Sequence, residues 1–197
     1  MNAGKSMKSK TTKIAIIFMV LVVGVVSFYG YLSTKQRQAA ADAKMTAAQI
    51  ALNRDLENDY PPTVRQVVSY FTEIQECFYN EECTESEIEQ LGIQARKLYD
   101  DDLLEINEVG TYLLQLKAEI EHFKTNKRKI TRISLAASNN VETFKEDGFE
   151  FARIHCNYYI SENGRLGYQD VIYLLRRDEN RRWKIYGWDL APVKETE

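Results

Sequence analysis

Six polar side chains near the C-terminal end of this chain have the types and spacing to do chemistry: His155, Asn157, Tyr159, Tyr168, Asp170 and Asp189. If Asn163-Gly164 forms a two-residue turn, as both positions tolerating positive φ suggests, Asn157 faces Asp170, His155 faces Ile172 and Tyr159 faces Tyr168. If the next turn centres on Glu179-Asn180, Asp170 faces Asp189, Leu174 faces Ile185 and Tyr173 faces Tyr186. Strand alternation then puts all six groups on one face and at one end of a sheet. Two adjacent carboxylates raise the pKa of one, and a histidine beside them serves as a proton donor or acceptor. The plainer reading is a polar outer ladder, or a wet cavity mouth without chemistry. That reading is preferred, because neither turn fixes its register alone. No catalytic residue is assigned, and the six stand as a possible pocket.

Other chemistries find little footing. There are two histidines, His122 and His155, and no HExxH, P-loop, GxGxxG or GxSxG. Cys77 and Cys83 lie six apart with no histidine nearby, which argues against zinc. Neither a metal nor a cofactor is expected. Outside the cell these two cysteines could form a disulfide; a reduced Cys77 on the apolar helix face is the favoured reading. Cys156 alternates with Ala152 and Ile154 as a buried thiol.

The elements that must position these groups are legible. "EFARIHCNYYI" and "GYQDVIYLLR" are rich in β-branched and aromatic residues. With the turns they predict an antiparallel meander over 149–161, 166–177 and 182–190, with weaker strands within 130–146. Before them, Thr63 and Gln66 form a capping box ahead of Val64, Val67, Val68, Phe71, Ile74 and Phe78, one apolar helix face. Thr84 and Glu87 open a second helix carrying Ile88, Leu91, Ala95, Leu98 and Tyr99. After "DDD" and a short connector, Tyr112, Leu113, Leu116, Ile120 and Phe123 make a third. Three helices and a curved antiparallel sheet give an α+β class.

The N-terminus bears on location. No residue from Ile14 to Thr34 is charged, a run of 21 residues, long enough to cross a hydrocarbon core of about 30 Å as a helix. A cleaved signal peptide has a shorter apolar region of roughly 7–15 residues and a nearby cleavage site, so an uncleaved anchor is favoured. Lys5, Lys8, Lys10 and Lys13 precede the span, and this basic tail is expected to stay in the cytoplasm, leaving the bulk of the chain outside. The expected organisation is a cytoplasmic tail (1–13), a single-pass transmembrane helix (14–34), a helical stalk (35–59) and an α+β domain (60–197), partnered with the cell membrane through residues 14–34. Residues 35–59 are Ala-, Gln- and charge-rich helix formers; their last turns could dock on the domain, and no sustained heptad supports a coiled coil.

Charge bears on partners. The formal net charge of −3 is uneven: residues 1–59 hold eight Lys/Arg and four Asp/Glu, so the remainder is acidic. Within that remainder, "RRDENRRWK" concentrates Arg176, Arg177, Arg181, Arg182 and Lys184. Basic residues among aromatics can bind nucleic acid, but an acidic domain beyond a membrane repels and never meets it. No nucleic-acid partner is expected, and the five charges read as a solvated hairpin tip.

The ending "RRDENRRWKIYGWDL" resembles the last hairpin of SnoaL-like domains, the cone-shaped fold of nuclear transport factor two, with Trp183, Lys184 and Ile185 entering the final strand. That resemblance implies a cone, used for binding in many members and for isomerase or dehydratase chemistry in some. Over nearly the whole chain, the anchor, "DYPPTVRQVV", "CFYNEEC" and "QARKLYDDDLL" resemble an uncharacterised family of membrane-anchored proteins from Gram-positive gut bacteria. This implies a bacterial, extracytoplasmic domain and no particular activity. The function expected is a membrane-tethered, non-catalytic binding or scaffolding domain that meets a protein or cell-wall partner. The alternative is a cone-cavity sensor of an unknown small-molecule ligand, or a lyase- or isomerase-type enzyme built on the His/Asp cluster.

Overall fold

A computed structural model describes residues 45–192. The basic tail, the transmembrane span and the first part of the stalk (35–44) anticipated from the sequence lie outside the described residues. Among the described residues no helix is long and apolar enough to cross a membrane. The described residues run through five α-helices, α1 (Ala47–Leu52), α2 (Val64–Asn80), α3 (Glu85–Arg96), α4 (Asp101–Ile106) and α5 (Val109–Thr125), and then, with a short 3-10 turn (Ser138–Asn140) between the first two, five strands. These are β1 (Arg128–Leu135), β2 (Glu142–Glu146), β3 (Phe149–Glu162), β4 (Arg165–Arg177) and β5 (Trp183–Leu190). The class is α+β, with helices packed on one antiparallel sheet.

Each helix starts where a side chain satisfies its free N–H groups. Thr63 accepts from the Gln66 N–H at 3.3 Å, and its hydroxyl donates to the Gln66 side chain. Thr84 and Glu87 form the complete reciprocal box. The connector after α3 is itself helical: Asp100 caps α4 by accepting from the Asp102 N–H. The described end of the segment read as a stalk departs from a continuous helix. It has one six-residue helix, α1, capped by Thr46 and Gln49, and leaves the helical state after Leu52. Ala48, Ala51 and Leu56 are buried, the Tyr70 hydroxyl donates to the Ala51 carbonyl, and Gln94 donates to the Arg54 carbonyl. This stretch is therefore held by α2 and α3.

The sheet order is β1-β3-β4-β5, with β2 pairing β3 beside β1. The β3–β4 hairpin turns at Asn163 and Gly164, both with positive φ, and keeps the expected register, Asn157 with Asp170 and His155 with Ile172. The second hairpin does not. Arg181 sits at φ 61°, which makes the loop three residues long, a turn followed by a left-handed residue, instead of two. A further irregularity between Leu174 and Leu175 adds another step. Asp189 therefore faces Ile172, Trp188 faces Tyr173 and Ile185 faces Leu175, so the expected Asp170–Asp189 pairing is corrected.

Ile154, Cys156, Tyr158, Val171, Tyr173 and Leu175 are buried on the sheet face that meets the apolar faces of the helices. Both outer edges have local covers. The Asn80 side chain donates to the Ile130 carbonyl at 2.8 Å and accepts its N–H at 3.0 Å, on strand β1. At β5, Ile185 bonds in parallel to the segment around Tyr99, through the Leu98 carbonyl and the Asp100 N–H.

The basic cluster is committed internally, not simply solvated. Arg176 bonds to the buried Asp100 and to Asp102, between the Phe149 and Tyr186 rings. Burial opposes its charge, and its carboxylate partners outweigh that to hold its pKa above the ordinary arginine value. Arg177 pairs with Glu150 at 2.9 Å. Arg182 donates to the Glu57 carbonyl and Lys184 to the Lys97 carbonyl, both over the Tyr60 ring. Arg181 alone of the five is exposed.

Candidate functional site

The sheet has two faces, and the six sequence-selected residues lie on the one turned away from the helices. His155, Asn157 and Tyr159 alternate with the buried Ile154, Cys156 and Tyr158 along β3. The His155 Nδ1 sits 3.1 and 3.2 Å from the two Asp170 oxygens, in a pair whose side chains are 47% and 29% exposed. Tyr159 lies against Tyr168, with ring centres 6.3 Å apart, and Arg132 covers the Tyr159 ring. The structure thus brings His155, Asn157 and Asp170 together, with the two tyrosines farther along. Asp189 is a neighbour of Ile172, and its own carboxylate accepts the Leu190 N–H.

A cleft of about 460 Å³ opens on the other face, between the sheet and helices α2 and α5. Of the six, only Asp189 borders it, at the strand end, and its register opposite Ile172 keeps its side chain on the His155 face. At its base the Tyr158 hydroxyl donates to the Gln75 Oε1 at 2.5 Å and lies 2.6 Å from the Tyr173 hydroxyl. Tyr79 donates to Glu119 at 2.8 Å on the helix side. Trp188 packs one side of its indole on Phe71, Tyr99 and Tyr173, with ring centres 5.8 to 6.1 Å away, yet stays 47% exposed. Aromatic rings therefore fill the deep end of the space between the layers, and the outer part remains open.

Electrostatics make this cleft polar but chemically quiet. Burial raises the Tyr158, Tyr173 and Tyr79 hydroxyls above the ordinary phenol range, so all three are neutral hydrogen-bonding groups at physiological pH. Burial likewise pushes the Cys156 and Cys77 thiols up to about 12, the opposite of an activated nucleophile. Cys77 and Cys156 are buried, and Cys83 donates weakly to the Cys77 carbonyl at 3.4 Å; all three are free thiols. Among the described residues no group of His, Cys, Asp and Glu could hold a metal ion.

Sequence reasoning missed Gln75, Tyr79, Tyr158 and Trp188. A signal existed: Gln75 and Tyr79 stand one helical turn apart, and Tyr158 and Tyr173 alternate with the residues that were chosen.

Fold and cleft together define a class, an α+β domain that layers helices on one face of an antiparallel sheet and leaves a partly filled cleft of aromatic and polar groups between the layers. The profile of an uncharacterised family, the domain of unknown function DUF6715, matches residues 1–188, and the chain belongs to that family. No curated protein matches the chain.

Proposed function

We propose that this protein is a membrane-tethered, non-catalytic binding domain whose ligand enters the cleft between helices and sheet. The observation that carries this reading is the division of groups between the two faces. The concave side offers neutral hydroxyls, amides and a half-exposed indole, with its thiols and phenols held protonated. Among the described residues, the one histidine–carboxylate pair that could move protons, His155 with Asp170, stands on the other face. Such a mix of aromatic surface and a few polar groups is the ordinary make-up of a ligand site. In this reading the helices and sheet form the cone of a SnoaL-like domain. The uncharged run from Ile14 to Thr34 anchors it, with the lysine-rich tail in the cytoplasm and the cleft outside.

Hydrogen exchange on the full-length chain in vesicles tests it. Adding the small-molecule and glycan fraction of a cell-envelope extract is expected to protect the backbone of residues 71–80 and 186–190, which border the cleft. Turnover of an extract component that disappears in His155→Gln would instead establish the catalytic alternative. Carbonate extraction and external protease on intact cells test the anchor and its orientation; full recovery in the soluble fraction would overturn the anchor.

A further inference from the structure

The cleft continues along the same sheet face into a second concavity of about 730 Å³ that runs to the tip of the β3–β4 hairpin. Arg128, Ile160 and Gln169 border both. Gly167, opposite Ile160, contributes no side chain to this floor, and a Cβ there would have nothing closer than 4.0 Å. The result is one elongated groove with an aromatic platform, Trp188, at its inner end.

The groups left uncommitted along it select the ligand chemistry. Gln75 accepts through Oε1, and its amide N–H₂ has no protein partner. The exposed Gln169 has none on either atom of its amide. Glu119 uses one oxygen and leaves the other free. An apolar ligand would bury these groups unpaired, at about 1–3 kcal/mol each. An anion in the cleft would meet the Glu119 carboxylate, while the Arg128 charge is already held by Glu162 at 3.1 Å and Arg165 lies out at the hairpin tip. An organic cation would suit the carboxylate and the rings but leave the amide donors covered. What satisfies donors, acceptors and a bare indole face together is a neutral molecule whose hydroxyls both give and take hydrogen bonds and whose ring presents a face of C–H bonds.

We propose that the groove binds a segment of a neutral glycan chain, with one pyranose ring on Trp188 and its hydroxyls shared among Gln75, Gln169 and Glu119. This rests on the reading of the cleft as the binding site and names its ligand class.

The test uses the full-length chain in polyoxyethylene detergent, which carries no sugar headgroup. Calorimetric titration with cellotriose, maltotriose and N,N′,N″-triacetylchitotriose is expected to give saturable binding for at least one. Purified peptidoglycan and chitin, assayed by co-sedimentation, form the polymer arm: binding there alone assigns a longer glycan, and binding in both arms a short segment. Trp188→Ala and Gln169→Ala should each weaken the interaction about tenfold or more, the equivalent of one good contact. Gln169 is exposed, so its replacement leaves the fold intact, and His155→Gln on the other face should change nothing. No saturable binding in either arm, binding indifferent to both groove variants, or a preference for anionic trigalacturonate over every neutral sugar would each overturn the proposal. Protection of the cleft by envelope extract without sugar binding would remove the glycan class and keep the binding site. No protection and no sugar binding would remove both.

Discussion

The two faces of the sheet handle their polar side chains in opposite ways. On the outer face, ionisable groups meet in contact with water: His155 meets Asp170, and Arg132 covers Tyr159. On the concave face, the buried Tyr158 and Tyr173 hydroxyls stay neutral and bond to each other and to the half-buried Gln75. The difference teaches that hydrogen-bond reach alone does not mark a site. The outer cluster has the more reactive residue types, but only the concave one has enclosure, which makes each polar group matter more.

That contrast can be broken. The largest effect is expected from Tyr173→Ala, which removes a ring packed on Phe71 and Trp188 and one of the two partners of the Tyr158 hydroxyl; chemical denaturation should show a loss of about 4 kcal/mol. Next comes Asp100→Ala, at about 3 kcal/mol by the same measurement. Arg176 belongs to the outer face by alternation, yet its side chain is only 15% exposed, so removing Asp100 leaves a buried charge. A small effect there would show that the outer face is uniformly tolerant. A third effect is a pH dependence. The Cys77 and Cys156 thiols titrate near 9.0 when unfolded and near 12 when folded. The folded state therefore holds the extra protons, and stability is complete below pH 9 and falls as pH rises toward 12. Urea midpoints from pH 8 to 10 should decline, and less steeply in Cys156→Ala. The smallest effect sharpens the comparison: His155→Gln should shift stability by less than about 0.5 kcal/mol, as for an exposed pair.

The elements were legible because their signals are local. Val64, Val67, Val68, Phe71, Ile74 and Phe78 are all buried on α2, and Asn163-Gly164 fixed the long hairpin residue for residue. The second hairpin was not, because a left-handed Arg181 is invisible in a turn that also contains Asp178, Glu179 and Asn180. Nor was α4, whose cap is the first Asp of a run that reads as loop. The site was hidden for a different reason. Both faces of β3 and β4 carry apolar residues, Phe151, Ile172 and Leu174 on one and Ile154, Tyr158 and Val171 on the other. Alternation therefore groups the residues without saying which group the helices cover.

The Asn80 amide on β1 has a consequence for how this chain meets its neighbours. By occupying the Ile130 N–H and carbonyl, it stops a foreign strand from pairing there, as the Tyr99 segment does at Ile185 on the far edge. Exposed strand edges are where sheets template one another into aggregates. In the proposed membrane-anchored state the protein would be concentrated beside its own copies, where an open edge is most dangerous. Asn80→Ala would uncover that edge, and its mark would be self-association growing with surface density while the isolated chain stays folded.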